Sequence, residues 1–400
     1  MTGSNGPLAG LRIVEVGSMI SAPLVGRIMA DFGAEVIKIE HPDGGDHLRR
    51  FGPQRDGIGL WWKYIGRNKQ SVTLDLGTSK GQAVFTDLLT TTDVLIENFR
   101  PGTLERWNLG YDVLSEVNPA LVMLRISGFG QDGPYAKKPG FGTLAEAMSG
   151  FAYLNGYPDR PPLLPPTGLA DILAGLFGVY SVMFALWNRE VNAGSGQYID
   201  VSLIEPILNI LGPQPLRFDQ LGEVEERTGN RSTNSAPRNV YRTGDDKFVA
   251  IAGSTQPLAM RVFDAIDRPE LKEDARFRDN AARLEHYDEL DEVIGEWIAD
   301  HTREEVVEAF TSADATLAPV YSIEDIMNDE HYTARDAIVS VTDEELGEVA
   351  IQNVFPRFSE TPGSIEHLGQ GIGAANHAVY GEMLGYDDAL LNELRSEGVI

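Results

Sequence analysis

The sequence has no cysteine. Disulfides, thiolate catalysis and cysteine-bound metals are therefore excluded, and the redox compartment leaves no mark. Positive charge is also scarce. Lys and Arg number 33 against 60 Asp and Glu, a formal net charge of −27. The lysines are Lys38, Lys63, Lys69, Lys80, Lys137, Lys138, Lys247 and Lys272. Such a surface repels nucleic acid and anionic membranes, so neither is expected as a partner. The acids are dispersed along the chain, as in proteins of salt-loving organisms, where counter-ions screen self-repulsion. No apolar run of about 18 residues lacks polar interruption, so no membrane span is expected. The N-terminus, MTGSNGPLAG, has no basic stretch followed by an apolar core, so no signal peptide is expected and a cytoplasmic location follows by default. There is no G-x-G-x-x-G, G-x-S-x-G, P-loop or H-E-x-x-H. The histidines show no ligand spacing, and no metal is expected.

What the chain does have is one long uncharged stretch. After Asp171 the next formal charge is Arg189. That length suits a helix, and a helix apolar on nearly all sides reads as a core helix. Its only acid stands at its N-terminal edge, where free N–H groups and the helix dipole favour an ionised carboxylate. Two readings remain open from spacing alone. Asp171 is an N-cap, the commoner role for an acid there, or it is a carboxylate nucleophile in a cleft against an apolar wall.

Before this stretch, strand and helix alternate. Leu11–Val16 reads as a strand, Ala22–Phe32 as a helix with Pro23 in its first turn, and Glu35–Ile39 as a strand. Further strands are expected at Ser71–Leu74, Val94–Glu97, Leu121–Ile126 and Gln197–Leu203, with a helix at Ser79–Thr90. Alternation of this kind predicts an α/β fold with an open parallel sheet covered on both faces. Ligands bind such sheets at the carboxyl ends of the strands, here Gly17–Ser21, Glu40–His41, Asn98–Arg100 and Ser127–Gly130. Later in the chain a hairpin is expected around Gly244-Asp245-Asp246, followed by an acidic, mostly helical segment, short strands over 338–358 and a terminal helix.

The turns after two strands are rich in glycine: ENFRPG from Glu97 and SGFGQDGP from Ser127. They are loops built of turn residues, or loops whose N–H groups approach a phosphate with Arg100 and Arg106 as charge partners. Taken together with LAGLRIVEV from Leu8, FGAEVIKIE from Phe32, NKQSV from Asn68, GQYID from Gly196 and LGYDD from Leu384, these segments resemble the class III CoA-transferases. That family includes formyl-CoA transferase and the carnitine CoA-transferases, with 2-methylacyl-CoA racemase as a relative.

The resemblance implies a Rossmann-like large domain made from both chain ends (1–205 and 340–400) and a smaller α+β domain (225–325). Linkers fall at 206–224 and 326–339, and two chains interlock as rings in a homodimer. It places the family's nucleophile on Asp171. It places CoA contacts on Ile20, Ser21, His41 (where many members have Arg), Leu74, Asn98, Phe99, Arg100, Arg106 and Lys138. No separate cofactor is implied, since the CoA thioester is the substrate. The expected donor is succinyl-CoA, and the acceptor a small dicarboxylate such as mesaconate, itaconate or malate. The glycine-rich hood of formyl-CoA transferase has no counterpart at Ala252–Gln256, so oxalate is not expected. A racemase-like enolate enzyme would need the His-Asp pair of those relatives, where this chain has Phe141-Gly142. A non-catalytic CoA-binding protein would not need Asp171.

Overall fold

The computed structural model describes residues 6–400. They fall into two compact units. One comprises residues up to Phe151, Leu164–Gly212 and Thr333–Ile400; the other comprises Ala152–Leu163 and Pro213–Tyr332.

The first unit is built on six parallel strands: β1 (Arg12–Glu15), β2 (Glu35–Glu40), β3 (Lys69–Thr73), β4 (Val94–Glu97), β5 (Val122–Ser127) and β6 (Gln197–Ser202). Their order across the sheet is β3-β2-β1-β4-β5-β6. The strands are apolar almost throughout because both faces are covered. Consecutive residues go to opposite cores. Ile13, Val36, Val94, Ile96, Val122 and Leu124 face one side. Val14, Ile37, Leu95 and Met123 face the other. Each such side chain, fully buried, contributes about 1.5–3 kcal/mol.

Helices α1 (Ser21–Asp31) and α6 (Leu169–Val191) cover the first face. Helices α3 (Ser79–Leu89) and α4 (Tyr111–Val117) cover the second, and the chain's last helix, α12 (Asp388–Ser396), joins them. Between them in sequence, α2 (Leu60–Ile65) precedes β3 and α5 (Gly142–Met148) precedes α6. After β1 the chain turns to one face; after β4, the neighbouring strand, it turns to the other. The two connections diverge and leave a crevice at the carboxyl ends of β1 and β4, the topological switch point where such sheets bind ligands.

Helix α6 corrects one expectation. It is not buried all round. Its small residues, Ala170, Ala174, Gly175, Gly178 and Ala185, are buried, whereas Leu176, Tyr180, Phe184 and Trp187 are exposed. The small face lets α6 come close to α1: a Cβ on Gly175 would lie 3.1 Å from the Ser21 carbonyl oxygen. Apolarity told that the helix is not a free surface helix, but side-chain size decided which face enters the core. By length and composition alone α6 could cross a membrane; here its small face packs into the core of the first unit.

Residues expected as linkers are partly helical, with α7 (Glu205–Ile210) and α8 (Gln214–Leu221) before the second unit's sheet. That sheet joins β7 (Arg238–Arg242), β8 (Phe248–Ala252) and β9 (Leu317–Pro319) in antiparallel fashion. It packs with α9 (Gln256–Ala265), α10 (Tyr287–Ala299) and α11 (Arg303–Ser312) around Phe263, Phe277, Ile294 and Phe310. Residues 338–352 return to the first unit as an antiparallel pair, β10 (Ile338–Asp343) and β11 (Gly347–Gln352).

Candidate active site

Asp171 lies in the first turn of α6, but it is not the cap. The N-cap is Gly168, and no side chain caps the helix from that position. The Ala170 N–H instead donates to Glu146 Oε1 of α5 at 3.2 Å. Asp171 is therefore free of the capping role that its sequence position suggested. Burial pushes its carboxyl pKa up to about 6; the nearby Ser21 hydroxyl works the other way, and the charge of Glu146 adds to the rise. The sequence argument had the helix terminus favouring the ionised form. Loss of water outweighs that effect, because a carboxylate is stabilised more by hydration than by a partial dipole charge.

A glycine makes this placement possible. A Cβ on Gly142 would stand 2.5 Å from Asp171 Oδ2, closer than a Cβ approaches another heavy atom. The carboxylate rests against bare backbone there. Gly168 forms a second bare wall, its notional Cβ 3.6 Å from the same oxygen.

The crevice loops are tied down from beneath. Lys38 is fully buried and bridges Glu15 at 3.0 Å and Asp46 at 2.8 Å, while its ammonium also donates to the Gly17 carbonyl. Burial opposes the Lys38 charge, but the carboxylates of Asp46, Glu15 and Glu40 outweigh it and hold the pKa above the ordinary lysine value. Asp46 Oδ1 accepts from the Met19 N–H at 3.2 Å, and Met19 takes a left-handed φ of 66°. Asn98, just past β4, accepts from the Ser18 N–H at 2.8 Å. Its amide group donates to the Ser18 carbonyl at 2.8 Å and to Ser21 Oγ at 3.1 Å. The loops after β1 and β4 are thus stitched together across the switch point.

The expected CoA contacts sort into three groups. Ser21 and Asn98 sit in the crevice. Ile20 is buried beside them, packed with Leu24, Leu48 and Trp62. Leu74 is 1% exposed and belongs to the core, so only its backbone can face a ligand, and its N–H already donates to the Glu40 carbonyl. The remaining residues lie in the segments that follow the strand ends. Phe99 stacks edge-on against Trp107, and its N–H donates to Glu97 Oε2 at 2.7 Å. His41 is well exposed, 3.8 Å from Asp75 Oδ1. Arg100, Arg106 and Lys138 are exposed. Arg106 bonds only the Thr103 hydroxyl, and Lys138 lies over the Tyr135 ring. No carboxylate among the described residues pairs with these three cations, in a protein with far more acids than bases. Three unneutralised cations in the segments that follow the strands' carboxyl ends, Arg106 closing the short helix Thr103–Arg106, suit a phosphate-bearing ligand.

The CoA-transferase family III profile matches residues 8–370. The chain belongs to CoA-transferase family III. It is 44% identical over 398 residues to the succinyl-CoA–L-malate CoA-transferase beta subunit of Chloroflexus aurantiacus, covering 98% of each chain. It is 39% identical over 395 residues to the succinyl-CoA–D-citramalate CoA-transferase of the same organism, again covering 98% of each. Among solved structures it resembles a CaiB/BaiF family protein from Brucella suis, with a TM-score of 0.85 and 29% identity over 95% of this chain and 100% of that one.

For a CoA-transferase the sequence left two site residues, and one role of a third, unseen. Glu146 and Gly142 approach Asp171 from another helix, about 25 residues away in sequence, and no local spacing marks them. The second role of Asn98, holding the β1–α1 turn, joins residues 80 apart. The first unit also carries an apolar cavity of about 930 Å³, lined by Ile20, Leu24, Trp61, Tyr64, Ile172, Tyr180 and Phe355 among others. Asp171 is not among its lining residues; the cavity lies along α1, α2, α6 and the β10–β11 pair.

Proposed function

We propose that this CoA-transferase moves CoA from succinyl-CoA to a small dicarboxylate, with Asp171 as the covalent carrier. One observation carries the reading: a carboxyl group in the first turn of α6 that caps nothing, is mostly withdrawn from water and rests against the bare backbone of Gly142. Structural economy does not require an acid there; chemistry does. The names of the two Chloroflexus relatives supply the substrates by analogy, succinyl-CoA as donor and L-malate or citramalate as acceptor. Mesaconate and itaconate are kept in the same acceptor class.

The steps follow from a carboxylate nucleophile. An Asp171 oxygen attacks the thioester carbon of succinyl-CoA, the C–S bond breaks, and a mixed anhydride and CoA thiolate result. The thiolate attacks the Asp171 carbonyl carbon, succinate leaves, and an aspartyl-CoA thioester remains. The acceptor carboxylate attacks that carbon and expels the thiolate, giving a second anhydride. The thiolate then takes the acceptor's acyl carbon, and Asp171 is free again. No proton is moved. Both anhydrides are water-sensitive, so a site walled by apolar helix and glycine backbone favours transfer over hydrolysis. Arg100, Arg106 and Lys138 hold the nucleotide phosphates.

The enzyme is further read as an interlocked homodimer. The exposed row Leu176, Tyr180, Phe184 and Trp187 on α6 and the apolar cavity support this, since such area is normally covered. Light scattering across dilution should give no monomer before denaturation. A racemase-like reading has little support: residue 141 is an exposed phenylalanine and residue 142 a glycine, so neither is a base. The deciding assay is a carboxylate panel with succinyl-CoA in concentrated KCl. L-Malate, citramalate, mesaconate and itaconate should include the best acceptor. Acyl-CoA hydrolysis without transfer to any of them would overturn the reading.

A further inference from the structure

We propose that Arg125 is a positioning residue for CoA: its guanidinium, held between Glu97 and Glu105, fixes segment 98–106 so that Arg100 and Arg106 meet the nucleotide phosphates. This role rests on the reading that those two cations hold the phosphates. Arg125 itself is not a ligand in it. It is 7% exposed, and two carboxylates already take up its charge.

Glu97 ends β4, and Arg125 stands beside it in β5, in register. One oxygen of Glu97, Oε1, accepts from Arg125 Nε at 2.9 Å. The other, Oε2, accepts from the Phe99 N–H at 2.7 Å. The far side of the guanidinium, Nη2, meets Glu105 Oε1 at 2.8 Å. Phe99 precedes Arg100 and Glu105 precedes Arg106, so each cation is next in the chain to an anchored residue. The Phe99 and Trp107 rings meet edge to face, with centroids 5.5 Å apart, and close the segment on itself.

The segment cannot hold this shape alone. Thr103–Arg106 is a single helical turn, too short to be stable by its own hydrogen bonds. Its N-cap, Gly102, is left-handed at a φ of 85°, and no side chain caps it. Two outside contacts fix it: Leu104 enters the core beneath, and Glu105 reaches Arg125. Leu104 alone would let the turn roll about its buried side chain; a second anchor on the next residue removes that freedom. A buried ion pair adds little net stability, since desolvation offsets the attraction. What this one supplies is direction. The guanidinium is a planar fork whose donors point along fixed lines, so it holds two carboxylates from two segments at a set spacing. The row continues into β6. Asp200 lies next to Arg125 in register and accepts the Gln131 N–H at 2.8 Å, which anchors the loop leading to Lys138.

The test is titration calorimetry with free CoA at pH 8. Burial pushes the Glu97 carboxyl up to about 7, so at this pH its pair with Arg125 is ionised. Glu105→Ala and Glu105→Gln remove the same charge, but the Gln amide oxygen can still accept from Arg125. By charge alone, loss of an acid beside a phosphate site tightens binding. Loss of the anchor does the opposite. In Glu105→Ala, Kd for CoA and KM for succinyl-CoA should both rise about three- to ten-fold, with a smaller rise in Glu105→Gln. The value of kcat at saturating donor should hold. The melting temperature should barely move, because the Glu105 side chain is 44% exposed. Arg125→Lys keeps a charge for Glu97 but loses the fork, and should weaken CoA binding in the same range. With Arg106→Ala already in place, most of the Glu105→Ala effect should vanish, because it acts through Arg106.

Binding of CoA at wild-type strength or tighter in Glu105→Ala or in Arg125→Lys overturns the role. So does a Glu105→Ala effect undiminished by Arg106→Ala, or one confined to kcat. Should Arg125→Lys not fold, the two Glu105 variants and the double variant decide the same question. Failure of the underlying reading looks different: Arg100→Ala and Arg106→Ala, each alone, would leave CoA binding unchanged.

Discussion

Two regions at the carboxyl end of the sheet carry opposite charge arrangements. The start of α6 gathers carboxyl groups, Asp171 and Glu146, and no cation acts on Asp171. The segments after the strand ends hold Arg100, Arg106 and Lys138, and among the described residues no carboxylate pairs with them. Elsewhere buried cations are met by carboxylates, as Lys38 by Glu15 and Asp46 and Arg67 by Asp31 at 2.6 Å, or by carbonyl oxygens, as Arg283. Under the proposed function, the contrast separates a reacting group from a handle. A nucleophile paired with a cation would be a weaker nucleophile, and a cation paired with an acid would not attract a phosphate.

The largest effect expected from breaking this contrast is at Asp171. Asp171→Asn should lose CoA transfer by roughly 10³-fold or more, since an amide forms no anhydride. Because Asp171 is no cap, folding should survive. The folded-state pKa is raised, so the stability linked to this group is present at low pH and is lost as pH rises through about 6. The Asn variant should therefore melt at or above the wild-type temperature near pH 8, and lose that advantage near pH 4. Calorimetry at the two pH values checks the sign. A variant that keeps transfer, or that unfolds at both pH values, refutes the assignment.

Gly142→Ala comes next. The added methyl must displace the Asp171 carboxylate, which is the movable partner, so the fold should tolerate it. A misplacement of about 1 Å costs on the order of 10²-fold in rate. We expect that loss in kcat with KM for succinyl-CoA nearly unchanged. The melting temperature should hold or rise slightly, because Ala is the better helix former. A loss confined to KM would mean that Gly142 belongs to the handle.

Substituting the handle should do the reverse. Arg100→Ala, Arg106→Ala or Lys138→Ala should each raise KM for succinyl-CoA by about three- to ten-fold, as exposed charge contacts are individually worth about 1 kcal/mol. Maximal rate with saturating donor should hold. A fall in kcat at unchanged KM would remove the residue from the handle.

The smallest effect separates the two regions by salt. From about 0.1 M to several molar KCl, screening shortens the Debye length several-fold. Self-repulsion among the dispersed acids weakens, and the melting temperature should rise. The attraction of the three cations for a phosphate weakens too, and KM should rise. The rate of single-turnover acylation at saturating donor should barely respond, since no cation acts on Asp171. A melting temperature that stays flat or falls would refute the salt-adapted reading of the composition.

Sequence alone determined much of the frame. Apolar strands alternating with helices require a covered parallel sheet, and β1, β2, β4 and β6 appear within two residues of their expected ends. Local pattern suffices there because burial on both faces leaves no other use for runs such as Val94–Ile96. The ordered motifs identified the family, and the long uncharged stretch singled out Asp171. Only the tertiary structure decided what surrounds that residue. A 3.6-residue period cannot say that α6 buries its glycines and alanines and exposes Phe184 and Trp187; the close approach of α1 decides it. Nor can spacing say that Glu146 takes the helix terminus, that Gly142 clears room for Oδ2, or that Asn98 reaches Ser21. Those contacts join strands and helices that are distant along the chain and adjacent at the switch point. The pKa of Asp171 belongs with them: the dipole of its helix is written in the sequence, but the loss of water that outweighs it exists only once the crevice has closed around the carboxyl group.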